Sequence, residues 1–375
     1  MISIAVNNPR TSYFVGGAEM VSIEHAKQLA NLGFTVAFYT IHPKSIGENY
    51  SKQYLYFKNK FKNMIKFYEI NQDETVLPIY KIQPGEDRKR WNIESLSYGR
   101  QLAFELTTKS AKYDIMLSYF NLDAISISRS NVERNIIYLC GVPQTEDMFR
   151  TSILTMYDKI ITITDETKHY WEKYTDQVIS VIPTGVDETR FTPALKNDQK
   201  IKIISIGRLI ERKGCHLLLT AISSLPIEAL NKIEVLIIGD GPQHLRLQLQ
   251  IKETGLDQYV KMIGRVDNPE LYLSKADICV FPSLAGEGLQ GAILEAMSSE
   301  AAIIASNSSI NKTLLADGRG ILIDSNDCEN ISKALLKLIN NPGLRLSIGA
   351  RSRAYVIEKY SWIDLIRKLI KKIGE

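Results

Sequence analysis

The sequence predicts an α/β protein made of two Rossmann-like, doubly wound parallel-sheet domains. Short β-branched apolar runs alternate with longer amphipathic stretches, as in right-handed strand–helix–strand units. The runs are almost continuously apolar, which suits parallel strands covered on both faces. The series also restarts near residue 200 of a 375-residue chain, and such a chain is longer than one core usually serves.

In order, Ile2–Val6, Phe34–Tyr39, Ile115–Leu117, Ile136–Leu139, Ile160–Ile163 and Val178–Ile182 read as strands of the first domain. Ile201–Ile206, Val235–Ile238, Val260–Ile263, Ile278–Phe281, Ile303–Ala305 and Ile321–Ile323 form the second series. Helical patterns lie between them, such as Ala18–Leu32 closed by Gly33, and Ile331–Ile339 followed by Asn341-Pro342-Gly343. The polar stretch Thr192–Lys200, with an early proline, reads as a linker. It sets the first domain at 1–195 and starts the second at 196. In such sheets ligands lie beyond the carboxyl ends of the strands, so the chemistry is expected in loops directly after strands.

Composition narrows the classes. Apolar residues make up 45% and charged residues 23%, as in ordinary soluble globular chains. A net charge of +4 without a sustained basic stripe argues against nucleic acid as a partner. Four cysteines without C-x-x-C spacing argue against a disulfide framework or zinc site and for a reducing compartment. The start MISIAV runs straight into a strand pattern, and no apolar run reaches membrane-spanning length. The expected location is the cytoplasm. One segment leaves the inner face of a membrane open: Lys52–Tyr68, with five lysines, no acids and many aromatics. It reads either as an interfacial segment meeting anionic headgroups or as a domain helix with a solvated basic face.

Three loops carry candidate chemistry. After Ile201–Ile206 comes GRLIERKG, Gly207–Gly214. Its Arg208 and Lys213 offer a planar fork and a compact point charge, which suit a diphosphate; two solvated cations at a helix entry are the plainer reading. After Ile2–Val6 the chain reaches Gly16-Gly17 before a helix, where free N–H groups favour an anion. His25, on the apolar side of that helix, reads as a core histidine. After Ile278–Phe281 the stretch AGEGLQGAILEAM sets Glu287 at a helix entry and Glu295 inside the helix. In an ideal helix the two carboxylates stand ~12 Å apart along the axis and roughly 80° apart around it. A hydrolase acid pair needs about 5–9.5 Å. Two separated acceptors fit the two sugar rings of a nucleotide sugar better, with the helix entry between them for phosphate. Gly239-Asp240-Gly241-Pro242 and Gly264-Arg265-Val266 also follow strands and could be ligand loops or plain turns.

Together, Gly207-Arg208…Lys213-Gly214, Gly239–Pro242, Pro282-Ser283 and Glu287…Glu295-Ala296-Met297 resemble the family-four retaining glycosyltransferases of GT-B fold. Gly16-Gly17-Ala18-Glu19 is similar to that family's N-terminal glycine motif, and Ile182–Asp187 to its linker, with Thr184 where asparagine is frequent. Tyr360-Ser361-Trp362 and the last helix resemble its C-terminal segment. The resemblance implies that the second domain, 196–357, binds a UDP-sugar, UDP-glucose-like. A helix over 358–375 would cross back onto the first domain, which would bind a glycan or lipid-linked saccharide acceptor in surface polysaccharide biosynthesis.

Under the same resemblance Arg208 and Lys213 hold the diphosphate without a metal, Glu287 holds the donor sugar and Glu295 the ribose. The backbone of Leu289, Gln290 and Gly291 meets sugar and phosphates, Gly264 to Val266 border the base, and Gly16 and Gly17 meet the diphosphate. The nucleotide sugar is a substrate, so no cofactor is expected. Two departures stand out. Cys140 occupies a position where the family often has histidine, with Tyr119 or Gln144 as candidates to fill in. Gln290 stands where glycine or proline is common. These departures leave a non-catalytic sugar-nucleotide-binding subunit as the alternative, with a nucleotide-sugar 2-epimerase further behind.

Overall fold

The computed structural model describes residues 2–72, 87–119, 131–142, 153–195, 199–284, 289–324 and 326–374, and for 87–93 and 153 the backbone only. The chain divides into two compact units. One comprises Met1–Pro183 with Leu365–Glu375, the other Thr184–Asp364.

The first unit holds a seven-stranded sheet: β1 (Ser3–Asn7), β2 (Thr35–Ile41), β3 (Ile65–Ile70), β4 (Tyr113–Ser118), β5 (Val132–Leu139), β6 (Lys159–Thr162) and β7 (Ile179–Val181). Their spatial order is β3-β2-β1-β4-β5-β6-β7, with every pairing parallel. The second unit holds β8 (Ile201–Ile206), β9 (Ile233–Ile238), β10 (Val260–Gly264), β11 (Ile278–Phe281), β12 (Ala302–Ser306) and β13 (Ile321–Ile323). These are ordered β10-β9-β8-β11-β12-β13, again all parallel. Each sheet repeats the 3-2-1-4-5-6 order of doubly wound folds, which reverses direction between its first and fourth strands. Those switch points lie between β1 and β4, and between β8 and β11.

The continuous apolar runs account for the burial. Ile203, Ile204, Val235, Ile237, Ile278, Val280, Ile303 and Ile304 are all fully buried, as strands with helices on both faces require. Helices Cys215–Ser223 and Cys328–Ile339 pack on one core with Ile203, Val235, Ile237, Ile278, Val280 and Ile304 through Leu218, Leu219, Ile222, Ile331, Leu335 and Leu338.

Three expectations are corrected. The domain boundary falls at Pro183/Thr184 instead of 195/196. The segment behind it docks on the second unit: the Val186 N–H donates to the Tyr360 carbonyl at 2.8 Å, and Ser298 Oγ donates to the Phe191 carbonyl at 2.7 Å. Residues 358–364 also stay with the second unit, because Trp362 packs against Gly185 and Ser361 Oγ donates to Glu188 at 2.8 Å. The first unit gains Leu365–Glu375, fastened where Arg134 and Lys159 donate to the Ile373 and Lys372 carbonyls at 2.8 Å.

The third correction concerns Lys52–Tyr68, which is not one amphipathic segment. Ser51 caps a helix over Lys52–Phe61, accepting from the Tyr54 N–H at 3.1 Å, and Ile65 begins β3. Tyr54, Phe57 and Phe61 are buried in the domain, so these rings are not available to insert into a membrane. Among the described residues no helix is long and apolar enough to cross a membrane.

Candidate functional site

The loop after β8 and the strand end after β11 meet at the switch point of the second sheet. They line a shallow pocket with Gly207, Arg208, Lys213, Pro282, Ser283 and Gln290. Its shape depends on glycine. Gly214 has φ +68, and a Cβ there would overlap the Pro282 carbonyl oxygen; a Cβ on Gly239 would overlap the Gly207 carbonyl. Backbone bonds then fasten the loops to one another: Leu209 N–H to Asp240 O at 2.9 Å, Gly239 N–H to Gly264 O at 2.8 Å and Leu284 N–H to Arg212 O at 2.8 Å.

On this frame Arg208 is exposed and Lys213 half-buried. Lys213 Nζ donates to Gln290 Oε1 at 2.9 Å, and Gln290 Nε2 donates to Ser283 Oγ at 3.4 Å. Gln290 is the residue before helix Gly291–Ser298 and makes no side-chain cap bond to it. Leu289 is buried, Gly291 exposed and Glu295 half-buried in the second turn. Gly264 ends β10 with φ +77, and Val266 is half-buried just beyond it. The sequence thus brings Arg208, Lys213 and Gln290 to one pocket, while Glu287 lies outside the described residues. The pocket wall formed by Ser205 and Cys215, whose Oγ and Sγ are 3.8 Å apart, carries no signal in the sequence. Burial pushes the Cys215 thiol up, so it serves as packing and not as a thiolate nucleophile.

In the first unit Gly16 caps helix Gly17–Asn31, and its N–H donates to Glu19 Oε2 at 3.0 Å. Glu19 Oε1 accepts from Arg10 Nη2 at 2.8 Å, and both side chains are buried. Tyr119, beyond β4, is buried, with its hydroxyl 2.6 Å from His25 Nδ1. Burial lowers the His25 pKa to about 3, so its ring is neutral and belongs to the core. Cys140 is half-buried beyond β5, and burial, aided by the negative charge of Glu19, pushes its thiol up. Gln144 lies outside the described residues. Tyr119 and Cys140 therefore share a neighbourhood with Tyr138 and His25, although the Tyr119 hydroxyl is turned inward.

Two parallel doubly wound units, one with cations at its switch point, make an architecture of GT-B type. Comparison with known proteins points to glycosyltransferases. Residues 186–355 match the family described as Glycosyl transferases group 1, and this match covers almost all of the second unit. An uncharacterized glycosyltransferase of Haemophilus influenzae is 29% identical over 355 residues, 92% of this chain and 94% of its own length. A GDP-mannose-dependent monoacylated alpha-(1-6)-phosphatidylinositol monomannoside mannosyltransferase of Corynebacterium glutamicum is 30% identical over 201 residues. That match takes 48% of this chain, which spans only about half, 52%, of that relative's length. The crystal structure of Anabaena HepE in complex with UDP superposes over 100% of both chains with a TM-score of 0.76 at 15% identity, a likeness of fold.

Proposed function

We propose that the protein is a retaining, metal-independent hexosyltransferase that moves a sugar from a UDP-sugar to a glycan or lipid-linked saccharide acceptor in surface polysaccharide biosynthesis. The observation that carries this reading is the convergence of Arg208, Lys213 and Gln290 on one pocket at a switch point, inside the segment that matches group 1 glycosyl transferases. Arg208 and Lys213 would bind the diphosphate and offset the charge that develops as it leaves. The C1–O bond to phosphate breaks, and the C1–O bond to the acceptor forms on the same face. The acceptor proton passes to the departing phosphate oxygen, so no protein nucleophile or separate cofactor is invoked. Glu295 would accept from the ribose hydroxyls and Glu287 from the donor sugar, with Leu289–Gly291 at sugar and phosphates and Gly264–Val266 beside the base.

In the first unit Gly16 and Gly17 would admit an anionic group to a helix N-terminus. Among the described residues, no atom beyond its chain neighbours and its own helix backbone lies within 4 Å of where a Cβ on Gly17 would stand, and its φ is not positive, so packing among them does not call for glycine there. Cys140 and Tyr119 remain candidates near the acceptor or donor sugar. The test is calorimetry against UDP, GDP and ADP, followed by hydrolysis of the matching nucleotide sugar in EDTA. Sub-millimolar binding of one diphosphate and metal-free turnover are expected. Absence of binding above background to all three sinks the reading. A GDP-mannose donor is the second reading, favoured by the mannosyltransferase of C. glutamicum, and the same panel separates the two.

An anionic membrane surface is also proposed as a partner at the inner face of the membrane. The corrected footprint is the exposed set Leu55, Tyr56 and Met64 together with the exposed lysines Lys52, Lys60, Lys62 and Lys66 of the same stretch. Sedimentation with phosphatidylserine vesicles at low salt should pellet the protein; a supernatant unchanged by vesicles argues against it.

A further inference from the structure

We infer that Gln290 is a positioning residue for Lys213 and thereby tunes affinity for the donor's terminal phosphate. This rests on the proposed use of Lys213 at a diphosphate. The Gln290 side chain ties three segments together. Its Oε1 accepts from Lys213, 77 positions away in the chain, at 2.9 Å. Its Nε2 reaches Ser283 Oγ at 3.4 Å on the strand end after β11. Its backbone sits at the entry of helix Gly291–Ser298, in extended conformation at φ −89, ψ 116.

A lysine ammonium on a four-carbon stem is a mobile point charge, and aiming it costs rotamer entropy. Gln290 meets part of that cost before ligand arrives. An ammonium has three donors and the amide uses one of them, so the bond to Gln290 and a bond to phosphate are not mutually exclusive. The amide is also neutral, so it orients the cation without cancelling its charge. A carboxylate in its place would pair with Lys213 and repel phosphate; a methyl would remove this tie and its share of the aim. The same arrangement makes the position of Lys213 depend on the turn Leu289–Gly291, which the proposed function gives to the donor sugar. Gln290 is then a link between sugar subsite and phosphate subsite, acting through Lys213.

The experiment compares Gln290→Ala and Gln290→Glu with wild type, titrating UDP, GDP and their nucleosides by calorimetry. Diphosphate affinity should fall about 3–10-fold in Gln290→Ala and about 30-fold or more in Gln290→Glu, with nucleoside affinity held within about 2-fold. A merely structural role would move nucleoside and diphosphate together. Diphosphate affinities equal to wild type in both variants, or parallel losses for nucleoside and diphosphate, overturn the inference while leaving the proposed function intact. If wild type binds no diphosphate, both fall.

Discussion

The two sheets share one strand order, and each presents a glycine-containing loop at its switch point, yet they use those loops differently. In the second unit the glycines are demanded by the fold: Gly214 and Gly239 let backbones touch where a side chain would collide. That close packing brings Lys213 to the pocket and leaves Arg208 exposed. In the first unit the charges serve the loop itself. Arg10 pairs with Glu19, and Glu19 returns to the N–H of Gly16. The switch point there is filled by Asn7, fully buried, which accepts from the Tyr98 hydroxyl at 2.6 Å. A glycine motif therefore says little until one asks what its Cβ would meet and where its neighbouring charges are spent.

The largest expected effect falls on the cations. Lys213→Ala and Arg208→Ala should each lower kcat/KM by about 100-fold or more, since each would remove a charge that the proposed function sets against the leaving phosphate. Steady-state kinetics with the cognate donor would show it, and retention of near-normal rates would break the contrast between the loops.

Next, Glu19→Ala should destabilise the first unit by about 3–5 kcal/mol, because it leaves a buried guanidinium without its carboxylate. Denaturant unfolding monitored by tryptophan fluorescence would report it; a cost under 1 kcal/mol would mean the pair is not truly buried.

The glycines sharpen the comparison. Gly214→Ala should cost about 2 kcal/mol or more through positive φ and overlap. Gly17→Ala should leave stability within about 0.5 kcal/mol, as surface changes away from special features do, yet weaken donor binding. Equal stability costs for the two would erase the distinction.

A smaller effect concerns pH. Folded His25 stays neutral down to about 3, whereas the unfolded chain takes up a proton near 6.5. Between those values the unfolded state binds more protons, so stability falls as pH falls. The share from His25 is about 2 kcal/mol between pH 6.5 and 5. His25→Gln, which keeps a polar partner for Tyr119, should flatten the denaturation midpoint across that range. Identical pH slopes would show that His25 is protonated in the fold.

Much of the fold was legible because parallel strands buried on both faces announce themselves as apolar runs. The second series matched strand for strand, since all its members sit in a compact core. β3 was missed because it is an edge strand: Lys66 is exposed, and Glu69 is tied to Tyr50, Tyr54 and Lys58 at 2.6 to 2.8 Å, so its sequence, IKFYEI, breaks the apolar run. The boundary was misread because polarity marks a segment exposed to water and not the unit it docks on; Phe191, buried just before the polar stretch, holds that segment to the second unit.

At the candidate site, residue type singles out Arg208 and Lys213, and the structure brings both to one pocket. The bond from Lys213 to Gln290 was not legible, because it joins segments that only the sheet topology brings together. The inward turn of Tyr119 escaped for a similar reason: its partner, His25, comes from a helix nearly a hundred residues earlier.

The most direct test of the central claim, that the switch-point cations of the second unit hold a diphosphate, is the affinity of wild type and Lys213→Ala for UDP and GDP relative to their nucleosides. Wild type should prefer a diphosphate over its nucleoside by about 100-fold, and Lys213→Ala should lose most of that preference. An unchanged preference in Lys213→Ala would contradict it.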